Sequence, residues 1–247
     1  MSSVTVIILI ILIAFAATLF RSTFGFGEAL IAVPLLGIFL PMGEAVPLAV
    51  MMSLFVAAVV LIQDHGQVHF HSAKWLIIFA MIGIPFGLAL LFYANETVVK
   101  TALGGIIILY SVYSLTGLHS LHLEKDSKLW LFICGFLSGV FGGAYGVNGP
   151  PLVVYGNLRR WDAQYFRATL QAYFLIAGLV SMVGYIWRGM VTGGVMLHFV
   201  YTIPVLVPAI FLGRYLNKRL TGNSFYKYVY GGLMLIGMIL IIGELGK

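Results

Sequence analysis

The sequence has few charged residues and almost no cysteine. Of its 247 residues only 9% are Asp, Glu, Lys or Arg, whereas a soluble domain carries about 25%. The single cysteine, Cys134, excludes a disulfide framework within the chain, and its apolar neighbours predict a buried or lipid-facing position. The ten-residue alternating segments of an outer-membrane barrel are also absent. Because 61% of the residues are hydrophobic, we predict an all-α polytopic membrane protein.

Long apolar runs predict where the chain crosses the membrane, since a transmembrane helix needs about 20 residues. The run at 4–20 has no basic segment before it and no small-residue cleavage site after it, so we expect it in the mature protein. Further spans are predicted at 45–62, 74–93, 97–117, 163–187, 193–216 and 225–242, and a broken span begins at 129–141.

Two glycine-rich segments, which we call the first break (24–28) and the second break (141–151), interrupt the apolar sequence. Short apolar segments follow them, at 29–40 and 151–158. Irregular backbone at membrane depth is tolerated only where it is buried in protein or lines a polar cavity. The breaks therefore predict a substrate site, although glycines that only serve helix packing remain an alternative. The candidate binding residues are Gly25, Phe26, Gly27, Tyr145, Gly146, Asn148 and Gly149.

The second half of the chain repeats the plan of the first. Gly25 aligns with Gly146, Pro85 with Pro208, and a Lys-x3-Gly-Gly pattern begins at both Lys100 and Lys227. We therefore predict two transmembrane repeats, 1–117 and 129–247, joined by a cytoplasmic linker at 118–128. Each repeat would be a glycine-broken helical hairpin plus three transmembrane helices. An odd number of crossings per repeat makes the two repeats inverted, as in many secondary transporters.

Basic residues are distributed unequally between the two sides of this topology. One side receives eight of them and the other only Lys100, Arg188 and Lys247. Since short cytoplasmic loops are enriched in Lys and Arg, the first side is the cytoplasm and both termini are predicted outside it. The formal net charge of +6 follows from this bias, so no nucleic-acid partner is expected. The cytoplasmic set is Lys74, Lys125, Lys128, Arg159, Arg160, Arg214, Lys218 and Arg219.

Charged residues near the breaks have a structural and a functional interpretation. An unpaired charge at the membrane centre costs at least about 2.5–3.5 kcal/mol, so Arg21 needs a partner, and Glu28 is seven residues away. The pair could only fix the loop, or Arg21 could contact an anion while Glu28 carries a proton. Arg167 and Gln171 share a helix face and are further candidates for binding. Arg167 could instead extend to the cytoplasmic headgroups.

The two breaks also resemble a known family. Residues 25–36 resemble the first-repeat signature of the TauE/SafE family of sulfite exporters and related organosulfur-anion permeases, and residues 142–152 resemble the second. The resemblance covers the whole chain, although Glu28 stands where the family has another glycine. It implies a transporter of small anions, often sulfite or sulfonates, in a bacterial-type inner membrane.

Taken together, these features predict a secondary transporter, not an enzyme. Sulfite or an organosulfonate would bind near mid-membrane between the half-helix N-termini, whose N–H groups attract anions. No nucleotide-binding motif is present, so an ion gradient must supply energy, with protons first because of Glu28. No metal or other cofactor is expected, and a homodimer is left open. The alternatives are a channel, a serine protease-like enzyme using Ser138 and His198, and a metal transporter. The last would use His65, His69 and His71.

Overall fold

The computed structural model describes residues 3–64, 70–116, 123–124, 126–161, 163–219, 233–235, 237–239 and 241–243. All regular secondary structure in these ranges is helical. The helices are α1 (Ser3–Phe24), α2 (Glu28–Leu36), α3 (Met42–Asp64), α4 (Phe70–Tyr93), α5 (Glu96–Thr116), α6 (Lys128–Tyr145), α7 (Gly149–Leu158), α8 (Ala163–Trp187) and α9 (Gly193–Arg219).

Seven of the described helices are long and apolar enough to cross a membrane, namely α1, α3, α4, α5, α6, α8 and α9. Helices α2 and α7 have 9 and 10 residues, or about 14 and 15 Å of length, which is too short for a full span. The prediction of an all-α polytopic membrane protein is thereby confirmed. The span predicted at 225–242 lies largely outside the described residues, where only short helical stretches from 233 onward are seen.

The helices before the breaks are longer than their apolar runs suggest. Helix α1 continues four residues beyond 20, and α6 continues to Tyr145 through Gly142 and Gly143. The chain then turns at glycines with positive φ, Gly25 (87°) and Gly27 (97°) in the first break and Gly146 (68°) in the second. Glycine adopts this left-handed conformation without the steric cost of a Cβ atom.

The most extensive helix contacts join helices from the two sides of the predicted linker. Helix α1 packs along α9, and α4 packs along α6, while the pair α3 and α8 lies between them, with α3 against α9 and α8 against α4. If α1 corresponds to α6 and α4 to α9, the α1–α9 contact maps onto the α4–α6 contact. The pattern is what a duplicated chain would produce. The inversion of the repeats and the bounds of the predicted domains stay predictions.

Glycines bring the backbones of α4 and α6 into direct contact. A Cβ atom added at Gly139 would lie 2.3 Å from the carbonyl oxygen of Ala80, and one added at Gly87 would lie 2.1 Å from that of Val140. In a membrane the hydrophobic effect does not drive helices together, because lipid tails are also apolar. Small residues of this kind then favour association by allowing close van der Waals packing. Cys134, which also belongs to α6, is buried, as its apolar neighbours in the sequence predicted.

Candidate functional site

The two breaks meet at one small cavity. The first break and the start of α2 contribute Gly27, Glu28, Ala29 and Leu30, and the second break contributes Gly146, Val147, Asn148 and Gly149. Helices α1, α3 and α8 complete the lining with Arg21, Ser53 and Phe174. Six predicted residues therefore line one cavity, although the two breaks are far apart in sequence. They are Arg21, Gly27, Glu28, Gly146, Asn148 and Gly149.

The cavity lies beside the middle of a membrane-length helix, α3. Nη1 of Arg21 donates hydrogen bonds to the main-chain oxygen and the hydroxyl of Ser53, at 3.0 and 2.5 Å. Ser53 is eleven residues from each end of α3, Met42–Asp64. Eleven residues of α-helix span about 16 Å, which is half of a hydrocarbon core of about 30 Å. The guanidinium of Arg21 is therefore close to the midpoint of α3.

Arg21 is surrounded by acceptors and by an aromatic ring. It is 2% exposed, and its Nη1 atom also lies 2.6 Å from Oε2 of Glu28. Nη2 donates to Oε1 of Gln171 at 2.7 Å, and the guanidinium carbon lies 5.0 Å from the ring centroid of Phe174. A buried charge is tolerated only when it is paired and hydrogen-bonded, and these contacts meet that need.

Glu28 places a carboxylate at the N-terminus of a half-helix. It is the first residue of α2, and its Oε1 accepts a hydrogen bond from the hydroxyl of Thr18 at 2.8 Å. The N-cap residue of α2, Gly27, has no side chain with which to cap this terminus by a hydrogen bond. The unpaired N–H groups and the helix dipole make this end electropositive. The carboxylate of Glu28 thus lies where a helix terminus and a guanidinium both favour a negative charge.

The second break supplies polar groups without charge. Pro150 and Pro151 lack N–H groups, so Gly149 alone among the first three residues of α7 offers a main-chain donor. The hydroxyl of Ser138 donates to the carbonyl oxygen of Asn148 at 2.7 Å. Oδ1 of Asn148 packs so closely on Gly142 that a Cβ atom added there would lie 1.7 Å from it. Among the residues of this break that line the cavity, Asn148 alone has a polar side chain.

Four other predicted residues lie just behind the lining. The carbonyl oxygen of Gly25 accepts a hydrogen bond from Nε2 of Gln171 at 2.8 Å. Phe26 packs against Gly149, and Tyr145 is fully buried, with no partner for its hydroxyl among the described residues. None of these four residues, Gln171 included, is part of the cavity lining. Arg167 belongs to α8, and its side chain lies outside the described part of the chain.

Sequence reasoning missed Ser53, Phe174 and Thr18. Ser53 had a usable signal, because it is the only polar residue between Pro47 and Gln63. Phe174 had none, since aromatic residues are common in membrane helices. Its position over Arg21 is a contact between residues 153 positions apart in the chain, which the local sequence does not encode.

The residues of the alternative functions are not assembled in the described part of the chain. The hydroxyl of Ser138 is bonded to the main chain of the second break, and Nδ1 of His198 has no partner among the described residues. These residues contain no group of three potential metal ligands. His65, His69 and the side chain of His71 lie outside them, so the metal alternative is not addressed by their geometry.

Comparisons with known proteins agree with the resemblance in the breaks. The sequence model of the family described as "Sulfite exporter TauE/SafE" matches residues 10–240. A curated relative from Cupriavidus necator, named "Probable sulfite/organosulfonate exporter TauE", is 25% identical over 138 residues. That match covers 56% of this chain and 54% of the relative, so it spans about half the length of each protein. No solved structure matches the chain. The chain therefore belongs to the TauE/SafE sulfite exporter family, whose members are membrane transporters and not enzymes.

Proposed function

We propose that the protein is a proton-coupled secondary transporter of a small anion, sulfite or an organosulfonate, which binds between the two breaks. The observation that carries the proposal is the buried Arg21–Glu28 pair, 2.6 Å apart, in a cavity lined by both breaks. An intramembrane ionisable residue is a functional candidate by default because its burial is costly. The relative from Cupriavidus necator, named as a probable sulfite/organosulfonate exporter, supports the same class of substrate.

The Glu28 carboxylate marks the place where the substrate anion would bind. It accepts from a guanidinium at 2.6 Å and from a hydroxyl at 2.8 Å, beside the N-terminus of α2. Sulfite and sulfonates present negatively charged oxygens of similar geometry, and arginine pairs strongly with such groups. A substrate anion that displaces Glu28 from Arg21 would make the same contacts and gain the donors of Gly149 and Asn148.

A proton on Glu28 allows this exchange. With Glu28 ionised, its charge cancels that of Arg21, and an added anion would lie beside an uncompensated carboxylate. With Glu28 protonated, the pair carries one positive charge, which a bound anion neutralises. Proton and anion therefore favour each other's binding, and linkage makes the effect reciprocal. Anion affinity should rise as the pH falls.

The remaining features of the proposal concern topology. We expect a bacterial-type inner membrane, with 118–128 in the cytoplasm and both termini outside. Opposite movements of the two halves would expose the cavity to each side in turn. A proton, the anion and the lipid bilayer are the expected partners, and a homodimer is left open. No other cofactor is needed for this cycle.

Transport by purified protein in proteoliposomes tests the proposal. Arg21→Lys keeps the charge, but an ammonium lacks the planar fork that reaches Glu28, Ser53 and Gln171 together. Since a hydrogen bond to a charged group is worth about 1.5–3 kcal/mol, we expect uptake of a short-chain alkyl sulfonate to fall about 10- to 100-fold. Arg160→Lys, at an exposed position, is the matched control and should transport normally.

Two results would contradict this function. One is uptake by Arg21→Lys at the wild-type rate. The other is a wild-type protein that binds cations or neutral solutes but none of sulfite, sulfate, thiosulfate, sulfonates and carboxylates. Saturable counterflow of unlabelled against labelled anion separates a carrier from a channel, because a channel does not show it.

A further inference from the structure

Gln171 lies behind the cavity with both polar atoms of its side chain engaged. It is 1% exposed. Its Oε1 accepts from Nη2 of Arg21 at 2.7 Å, and its Nε2 donates to the carbonyl oxygen of Gly25 at 2.8 Å. Because Gln171 is also absent from the cavity lining, the geometry does not present it to an anion directly.

The two hydrogen bonds cross between helices that otherwise pack little. Within the described residues, α1 is packed along α9, and α8 lies against α3 and α4, with no extensive contact between α1 and α8. Gln171 therefore joins α8 both to the guanidinium of Arg21 and to the main chain of the first break. The side chain of Gln171 thus contacts both the guanidinium of Arg21 and the first break.

We propose that Gln171 is a positioning residue, which holds Arg21 and the first break in the geometry that receives the anion. The inference rests on the proposed function of the cavity. The position requires an acceptor toward a cation and a donor toward a carbonyl at the same time. A glutamine side chain supplies both, whereas glutamate lacks the donor and methionine lacks both as strong groups.

Among the described side chains, few charged groups face Gln171. Arg21 of α1 contacts it directly, and Glu28 of α2 lies on the far side of that guanidinium. Helix α7 has no charged residue, and those of α3, α4 and α6 lie at or near the helix ends. Arg167 is one turn away on α8, and its side chain is outside the described part of the chain.

Two variants test the inference by different measurements. Gln171→Met keeps the size but removes both hydrogen bonds, and the KM for a short-chain alkyl sulfonate should rise about ten-fold with little change in Vmax. Gln171→Glu keeps the acceptor but places a second carboxylate against Arg21. Its pH–rate profile should move to lower pH by about one unit or more, because both carboxylates then compete with the anion. Ser181→Ala, which removes another buried polar group of α8, is the control and should change neither quantity.

The outcomes separate this inference from the function on which it rests. A wild-type protein that transports, with an unchanged KM in Gln171→Met or an unchanged pH profile in Gln171→Glu, would refute the positioning role. Failure of the wild-type protein to transport any small anion would instead refute the proposed function. If Gln171→Met does not fold, the pH–rate profile of the near-isosteric Gln171→Glu decides whether Gln171 is a positioning residue. A general loss of packing would lower Vmax in both variants without moving the pH dependence.

Discussion

Removing one member of the Arg21–Glu28 pair should destabilise the protein strongly, and removing both should not. The two side chains are 2% and 1% exposed and 2.6 Å apart. Among the described residues, Arg21→Met would leave Glu28 with the hydroxyl of Thr18 as its one side-chain partner and would deprive Ser53 and Gln171 of their donor. Breaking a buried pair from one side costs about 3–5 kcal/mol, whereas replacing the whole pair by apolar residues is often neutral.

Thermal unfolding in detergent at a fixed scan rate measures this effect. A loss of about 3–5 kcal/mol corresponds to a Tm lower by about 6–20 °C for a chain of this size. We expect such a fall for Arg21→Met and for Glu28→Met, and recovery of most of it in the double variant. Glu124→Met, at an exposed position, should shift Tm by no more than about 2 °C. A single variant as stable as this control, or a double variant no better than the worse single one, would refute the pairing.

Three other substitutions follow from contacts within and between the described helices. Gly139→Val should lower Tm and yield because its side chain would clash with the backbone of α4. Such overpacking costs about 1–3 kcal/mol or more. Gly105→Val is the control, because a side chain at Gly105 would meet open space. Gly142→Ala should reduce transport more than Tm, because its Cβ atom would push the side chain of Asn148 from its place in the cavity. Asp126→Asn weakens a partly exposed ion pair at the end of α7, so thermal unfolding should show a loss of only about 0.2–1 kcal/mol.

Local sequence patterns were enough to predict most of the helices. The span predicted at 163–187 has the bounds of α8, Ala163–Trp187, and both half-helices follow their glycine breaks. Two helix ends differ from the predicted bounds. Helix α7 begins at Gly149, before 151, because proline is tolerated in the first turn, where its missing N–H costs nothing. Helix α6 continues through Gly142 and Gly143 because these glycines pack closely against Asn148 and α4.

The site was predictable only in part, for a physical reason. The glycine breaks and the pair Arg21–Glu28 are visible in the sequence because polar and flexible residues are costly in a membrane. The contacts of Arg21 with Ser53 and Gln171 join residues 32 and 150 positions apart in the chain. No local pattern encodes such pairs, since they depend on where α1 lies relative to α3 and α8.

The pH dependence of anion binding tests the central claim, that a substrate anion takes the place of ionised Glu28 on Arg21. A short-chain alkyl sulfonate is the suitable ligand because its own charge does not change near neutral pH. Its Kd for the wild-type protein should decrease as the pH falls, since a proton on Glu28 releases Arg21. In Glu28→Gln, binding should be tight and independent of pH, while Glu124→Gln should behave as the wild type does. Binding by Glu28→Gln that keeps the wild-type pH dependence would contradict the account.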